Sequence, residues 1–261
     1  MSRISDLAAR AVRAAVPDPL RRKLRASRSI ILGKPALGAL IAKYCVGQGI
    51  EVGAGKTPYC SPRNTVFLDK HSDNKDGTPD PDIVADAARI PVEDGRFDFL
   101  LSAHCLEHSQ NTIRTLNEWG RVLRPGGILF LILPHADRTF DRHRAKTTLA
   151  HHIDDFETLT DAWDRSHVEE ITAGWSIDLT DEDAAQYRRE WGADVWDWDF
   201  RFKNDVIHFH VWTQDEMVRL LQYLGLRILF VDEMSAERTD SFVIVAATPQ
   251  GKGADSIPAG A

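Results

Sequence analysis

The chain has 261 residues, of which 43% are hydrophobic and 27% charged, and its formal net charge is −7. This composition is typical of a folded globular protein, and the acidic balance argues against general nucleic-acid binding. No run of 18 consecutive apolar residues occurs, so the sequence predicts no membrane-spanning helix.

Three cysteines, Cys45, Cys60 and Cys105, show neither a close pair nor the spacing of metal ligands. Unpaired cysteines of this kind are typical of reducing compartments. We therefore predict a reduced, cytoplasmic protein.

The first predicted element is a basic helical arm over residues 1–34. Apolar residues recur at helical spacing from Ile4 to Val16, and basic side chains outnumber acidic ones up to Arg28. Such a helix packs on its own domain or on a second subunit, which makes a homodimer one interpretation. Weak contact with a membrane surface and an organelle transit peptide are the alternatives.

Residues 35–134 are predicted to form a core in which strands and helices alternate. After a helix over 35–47, five apolar runs predict strands: 49–52, 65–69, 82–86, 97–102 and 127–134. A helical pattern over 111–127 ends at Pro125-Gly126-Gly127. The alternation predicts a Rossmann-like α/β fold, a mostly parallel sheet with helices on both faces.

Residues 135–205 differ in composition from the core. They hold 18 acidic side chains against nine Lys or Arg, and five of the seven tryptophans. So long a stretch is rarely one structureless loop, and we predict a mostly helical lid that also forms the acceptor region.

Residues 206–248 are predicted to return to the core. Thr213 and Glu216 have the spacing of a helix capping box. Two strands follow, 226–233 and 241–247, and we expect them to pair in antiparallel fashion at one edge, with the last strand antiparallel to the rest of the sheet. The end of the chain, 249–261, is predicted to be a disordered tail.

The loop after the first predicted strand reads Glu51-Val52-Gly53-Ala54-Gly55. Glycines there let the backbone approach a ligand, and we expect a helix to begin after them. Pro58 stands where a dinucleotide site has its third glycine, so pyrophosphate is disfavoured. Asp69 and Asp86 end the next two strands, where carboxylates can accept hydrogen bonds from ribose hydroxyls and an adenine amino group. Glu51 could contact a ligand ammonium.

Together these motifs resemble those of class I S-adenosylmethionine-dependent methyltransferases over about residues 49–134. The motifs are Glu51-x-Gly53-x-Gly55, Asp69, Asp86-Ala87, 97–108 and 121–134. The resemblance implies S-adenosylmethionine as the methyl donor. It places Glu51, Gly53 and Gly55 on the methionine and ribose side, Asp69 at the ribose, Asp86 and Ala87 at the adenine, and Ser102 and His104 beneath the sulfonium. Each acid could instead be a helix cap or a solvated turn.

Nine of the ten histidines lie between residues 104 and 210, and they are densest after the fifth predicted strand. The stretch 134–157 resembles a branch of bacterial methyltransferases associated with surface polysaccharides and, more narrowly, actinobacterial methyltransferases of methylmannose polysaccharide synthesis. The resemblance is carried by His135, Asp137, Thr139, Phe140, Asp141, Arg144, Thr147, Thr148, Leu149, His151 and Asp155. It implies O-methylation of a sugar or oligosaccharide, with a mannoside as one candidate acceptor.

A hydroxyl acceptor needs a base that takes its proton as it attacks. His151 is the first candidate and His152 the second, because adjacent residues on a helix point about 100° apart. Asp155 lies four residues after His151 and could orient its imidazole. A solvent-exposed His/Asp pair is the alternative interpretation.

A metal ion is a further hypothesis. Asp137, Asp155 and a histidine could hold Mg²⁺ against two sugar hydroxyls. His208 and His210 are two residues apart, so on a strand their rings would lie on the same face. They could then bind a metal ion, contact the substrate or simply pack at the edge of the sheet.

The sequence leaves other functions open. They are a methyltransferase for a phenol, lipid or carboxylate, a non-catalytic protein that binds the donor, and a nucleotide-dependent reductase. The reductase is disfavoured because the third glycine and a Tyr-x-x-x-Lys pair are both absent from the sequence.

Overall fold

The structure, a computed structural model, describes residues 36–55, 57–72, 80–161, 163–204, 206–233 and 238–250. The predicted basic arm lies outside these residues, as does the predicted tail apart from its first two residues.

Seven strands in the described residues form one sheet, in the order β3-β2-β1-β4-β5-β7-β6. The strands are β1 (Gly49–Val52), β2 (Thr65–Asp69), β3 (Ile83–Val84), β4 (Phe97–Ala103), β5 (Leu123–Pro134), β6 (Arg227–Asp232) and β7 (Ser241–Ala247). Strands β1 to β5 pair in parallel, whereas β7 runs antiparallel to both β5 and β6. This confirms the predicted Rossmann-like sheet of class I methyltransferase type with its antiparallel last strand.

Seven α-helices accompany the sheet in the same residues. They are α1 (Leu37–Tyr44), α2 (Thr112–Val122), α3 (Leu149–Glu157), α4 (Val168–Ser176), α5 (Asp181–Trp191), α6 (Trp198–Lys203) and α7 (Gln214–Tyr223). The predicted capping box is confirmed at α7, where the Thr213 backbone N–H donates to Glu216 Oε2 over 2.9 Å.

The core lies on both faces of the sheet because alternate side chains of a strand point to opposite sides. On β4, Leu100 joins a cluster with Trp119 of α2 and Leu220 of α7. Its neighbour Leu101 joins a second cluster with Leu40 of α1. Helices α2 and α7 therefore cover one face, and α1 packs on the other.

The predicted alternation of strands and helices is wrong between β1 and β4. Connections 53–64 and 85–96 contain no helix in their described residues, so the glycine loop does not lead into a helix N-terminus. The buried Glu51 carboxylate instead accepts hydrogen bonds from the backbone N–H groups of Tyr59 and Cys60, each over 2.8 Å at its shortest. A side chain thus satisfies backbone donors that a helix would otherwise have paired.

Helices α3 to α6 lie within residues 135–205, which we call the helical segment. A core of Ile171, Trp175, Phe202, Ile207 and Phe209 is packed by Val168, Trp196 and Trp198. Three of the segment's tryptophans therefore pack within it, while Trp163 and Trp191 stay exposed. No helix in the described part of the chain is long and apolar enough to cross a bilayer.

Candidate functional site

A cleft of about 640 Å³ separates the carboxyl ends of the parallel strands from the helical segment. One wall comes from β1 to β4 and the residues that follow each strand, and it includes Gly53, Asp69, Asp86, Ala87, His104 and Cys105. The opposite wall comes from the helical segment and includes Thr160, Asp161, Trp163, Arg201, Phe202 and Asn204. His108, Ser109 and Gln110, from the turn after β4, also line the cleft.

Five of the eight predicted donor-binding residues line this cleft. They are Gly53, Asp69, Asp86, Ala87 and His104. Glu51, Gly55 and Ser102 are not in its lining, and their contacts show why. Glu51 holds the loop from beneath, and burial raises the pKa of its carboxyl. The Ser102 hydroxyl donates to the Val52 carbonyl over 3.1 Å and ties β4 to β1.

Asp69 is held at the end of β2 by two backbone donors. Its Oδ2 accepts from the Gly55 N–H over 3.0 Å, and its Oδ1 accepts from the His71 N–H over 3.2 Å. An ionised carboxylate offers about four lone-pair sites, so two remain for ligand hydroxyls. Gly55 therefore acts through Asp69, whose orientation it fixes.

Gly53 lets the loop after β1 approach the loop after β4. Its φ is +71°, and a Cβ there would lie 2.7 Å from Cys105 Cβ. A side chain at this position would be strained and would push the two loops apart.

His104 follows β4 in a left-handed backbone conformation, with φ +50°, which is uncommon for a residue other than glycine. Its Nε2 lies 2.8 Å from Ser241 Oγ, and its Nδ1 lies 3.5 Å from Glu107 Oε1. Burial lowers the pKa of His104 to about 3. The ring is therefore neutral at pH 7, with Nε2 hydrogen-bonded to Ser241 and Nδ1 facing Glu107.

Glu107 is a buried acid at the centre of a group of histidines. Its Oε1 lies 4.0 Å from His108 Nε2 and 4.0 Å from His208 Nε2, in addition to its approach to His104. Neither of its carboxylate oxygens has a hydrogen-bond partner among the described residues. Burial raises the pKa of Glu107 to about 7.

His108 presents one nitrogen that can accept a proton. Its Nδ1 lies 2.8 Å from the Ile207 carbonyl oxygen, which can only accept, so Nδ1 carries the proton and donates it. Nε2 of the neutral ring is then proton-free. The sequence analysis did not select Glu107 or His108, although the Glu-His pair directly after a strand-end histidine was a usable signal.

The buried Glu107 predicts a pH dependence of stability. The folded state raises its pKa from 4.5 to about 7, so it favours the protonated form. The protonated Glu107 carboxyl therefore contributes to the stability of the folded state below pH 4.5. This contribution, about 3 kcal/mol at most, is lost as the pH rises through 7. We expect Glu107→Gln, which resembles the protonated acid, to exceed the wild type in free energy of unfolding at pH 8 but not at pH 4.5.

Urea unfolding at the two pH values measures this difference, with the exposed Glu93→Gln as the control. All other titrating groups are present in both proteins, so the difference between wild type and variant reports Glu107 together with its coupling to the neighbouring histidines. The prediction is contradicted if the free energies of unfolding of the wild type and Glu107→Gln differ by the same amount at both pH values.

The predicted base residues lie beside the cleft and are not in its lining. On α3, His151 Nε2 stands 3.4 Å from Asp155 Oδ2, so the two side chains that the spacing pairs do meet. His152 is buried and packs against the rings of His210 and Trp212. The Asp155 carboxylate also faces His210, whose Nε2 is 2.9 Å from Oδ2.

The predicted Mg²⁺ ligands are not brought together. Asp137 is half exposed and pairs with Lys146, which lowers the pKa of the aspartate. Asp155 is buried among histidines in a group that does not include Asp137.

His208 and His210 do not form the predicted strand pair. Residues 206–212 belong to no strand of the sheet, and the two rings join different groups of side chains. His208 Nδ1 lies 2.7 Å from Asp141 Oδ2, beside the cleft. Burial lowers the pKa of His208, but the hydrogen bond with Asp141 and its charge outweigh burial, so the pKa is raised overall.

Part of the chain matches a known protein family. Residues 64–131, or 68 of 261, match the family described as a methyltransferase domain. Over 55 residues the chain is 42% identical to ajmaline N-methyltransferase of Rauvolfia serpentina, a match that spans 21% of this chain and 19% of that protein.

Two solved structures are similar at low identity. The CurJ carbon methyltransferase has a TM-score of 0.39 at 16% identity, with 78% of this chain and 48% of that chain covered. A Pyrococcus horikoshii protein has a TM-score of 0.49 at 14% identity, with 82% and 88% covered. The chain thus spans about half of CurJ's chain and a fifth of the curated relative. The family match therefore covers about a quarter of the chain.

Proposed function

We propose that this chain, whose residues 64–131 match a methyltransferase domain, transfers a methyl group from S-adenosylmethionine to a hydroxyl of a sugar or oligosaccharide. When bound, S-adenosylmethionine supplies an electrophilic methyl group on a sulfonium. The O–CH₃ bond would form as the S–CH₃ bond breaks, and the hydroxyl proton would pass to a base of the protein. The products are the methyl ether and S-adenosylhomocysteine.

The observation that carries this proposal is that one cleft joins strand-end carboxylates to an aromatic wall. On the donor side, Asp69 keeps lone pairs for ribose hydroxyls, and Asp86 lies two residues after the end of β3. Asp86 Oδ1 accepts from the Ala88 N–H over 2.8 Å, so its second oxygen is available for an adenine amino group.

The acceptor side suits a sugar. The Trp163 ring is 62% exposed although it lines the cleft, and it stacks on Phe202 with the ring centres 6.2 Å apart. An exposed aromatic face can pack against the C–H face of a pyranose. Asp161 and Asn204 line the same wall and can bond to hydroxyls.

His108 is the base that the geometry supports best. It lines the cleft at the turn after β4, and because Nδ1 donates to the Ile207 carbonyl, Nε2 is the basic nitrogen of the ring. When Nε2 takes a proton, the ionised form of Glu107, 4.0 Å away, would stabilise the imidazolium. His151 and His152 remain a weaker proposal for this role because neither lines the cleft.

The direct test is product mass after incubation of the protein with S-adenosylmethionine and either mannosides and glucosides or phenols and lipid extracts. We expect one methyl group to be added to a glycoside. Methylation confined to a phenol or lipid would replace the sugar proposal with a different acceptor. If the protein bound S-adenosylmethionine but consumed none of it with any acceptor, it would be a donor-binding protein and not a methyltransferase.

Trp163→Ala is expected to raise the KM for the glycoside about 2- to 12-fold, with kcat little changed. The reason is the loss of an aromatic contact worth about 0.5–1.5 kcal/mol. Initial rates at varied glycoside concentration measure the change. Trp163→Phe should retain most of the affinity.

The matched control is Trp191→Ala. Trp191 is also an exposed tryptophan of the helical segment, 48% exposed, but it is not in the lining of the cleft. An equal rise in KM for both alanine variants would argue against a sugar platform at Trp163.

A further inference from the structure

Four side chains direct one ligand atom each toward a common point outside the cleft lining. They are His151 and Asp155 of α3, His167 directly before α4, and His210 in the connection before α7. The four ligand atoms all lie within 4.8 Å of one another, and three of the four residues are buried.

The distances between these atoms fit a single ion. Asp155 Oδ2 lies 3.4 Å from His151 Nε2, 3.8 Å from His167 Nε2 and 2.9 Å from His210 Nε2. The Nε2 atoms of His151 and His167 are 2.9 Å apart. A tetrahedral ion with bonds of about 2.0–2.1 Å has ligand atoms about 3.3–3.4 Å apart. The observed distances lie on both sides of this value, so small shifts of the side chains would let the four ligand atoms bind one ion.

The contacts of His210 can accommodate a cation on Nε2. Its Nδ1 lies 3.0 Å from the Ser109 carbonyl oxygen and 3.1 Å from the Thr112 hydroxyl, and its Nε2 faces Asp155. A neutral imidazole has only one N–H, and when Nδ1 donates it to the Ser109 carbonyl, the Nε2 lone pair faces the Asp155 carboxylate. A metal ion on Nε2 removes this conflict and leaves the Nδ1 proton to the carbonyl.

Outer contacts orient the other ligands. His167 Nδ1 lies 3.3 Å from Ser166 Oγ, and Asp155 Oδ1 accepts from the Thr160 hydroxyl over 3.3 Å. Hydrogen bonds to the far side of metal-binding imidazoles and carboxylates are a general feature of protein metal sites.

We propose that His151, Asp155, His167 and His210 form a structural site for a transition-metal ion of the Zn²⁺ class. Three imidazoles and one carboxylate favour Zn²⁺ over Mg²⁺, which prefers oxygen ligands. The His151 side chain is 38% exposed, which provides a path for the ion.

The ion would join α3, the start of α4 and the chain before α7. Ser109, Thr160 and Phe209, which adjoin the ligands in sequence or by hydrogen bond, line the cleft. The site would therefore hold the wall of the cleft in place without contacting the reacting groups. It does not depend on the proposed methyl transfer.

The test is metal binding by the full chain after treatment with a chelator and dialysis, with Co²⁺ as the spectroscopic probe and Zn²⁺ as the competitor. We expect one Co²⁺ per chain with the visible absorption bands of a tetrahedral site, displaced by Zn²⁺ and not by millimolar Mg²⁺. His151→Ala should weaken Co²⁺ binding by more than about 100-fold, because a ligand is lost and not only an outer partner. Zn²⁺ should raise the melting temperature of the wild type but not of this variant.

Two controls separate the possible outcomes. His143→Ala removes a histidine outside the group and should bind Co²⁺ like the wild type. Glu107→Gln should also bind it normally. Absence of a tetrahedral spectrum, or Co²⁺ binding lost in Glu107→Gln but kept in His151→Ala, would overturn the proposal. Because neither donor nor acceptor is present, this result does not depend on whether the protein methylates a sugar.

Discussion

His108→Asn is expected to lower kcat by about 100- to 10,000-fold, the usual contribution of a positioned general base. The asparagine amide can still donate to the Ile207 carbonyl, so the turn after β4 should keep its conformation, but no basic nitrogen remains. Initial rates with S-adenosylmethionine and a glycoside measure the loss. Calorimetric titration with S-adenosylhomocysteine should show unchanged donor affinity.

The matched control is His143→Asn, because His143 is a partly exposed histidine that pairs with Asp178 and is not in the lining of the cleft. It should retain full activity. His151→Ala provides the competing outcome. If that variant lost turnover to the same extent while His108→Asn stayed active, the base would have to be assigned to α3.

Asp69→Ala is expected to weaken S-adenosylhomocysteine binding roughly 10- to 150-fold. This range corresponds to hydrogen bonds with a charged acceptor, about 1.5–3 kcal/mol. Asp69→Asn keeps one oxygen acceptor and should lose less affinity. Calorimetric titration gives both dissociation constants.

The loss of Asp69 also releases the N–H groups of Gly55 and His71, so a melting curve must show that each variant is folded. Asp154→Asn, which replaces an exposed carboxylate on α3, is the control and should bind like the wild type. An unchanged dissociation constant in Asp69→Ala would remove Asp69 from the proposed donor site.

The strands could be predicted because burial between two layers requires continuous apolar runs. The predicted limits 49–52, 65–69 and 241–247 are those of β1, β2 and β7. Helix α7 could be predicted equally well from its capping box. These features depend on neighbours a few residues apart, whose chemistry can be read along the chain.

The connections between β1 and β4 could not be predicted in this way. The expected helix after the glycine loop is replaced by irregular chain, because Glu51 reaches the backbone N–H groups of Tyr59 and Cys60. Whether a buried carboxylate or a helix satisfies those donors depends on packing beneath the loop.

The sequence by itself determined which carboxylates stand at the strand ends, since parallel strands bring their carboxyl ends to one edge and Asp69 and Asp86 end their predicted strands. It also paired His151 with Asp155, because residues four apart share a helical face. Only the tertiary structure decided which histidines reach the cleft. Glu107 and His208 are 101 positions apart in sequence and meet through the packing of the helical segment on the sheet. Side-chain groups of this kind depend on how separate elements are placed relative to each other, and no local pattern in the chain encodes that placement.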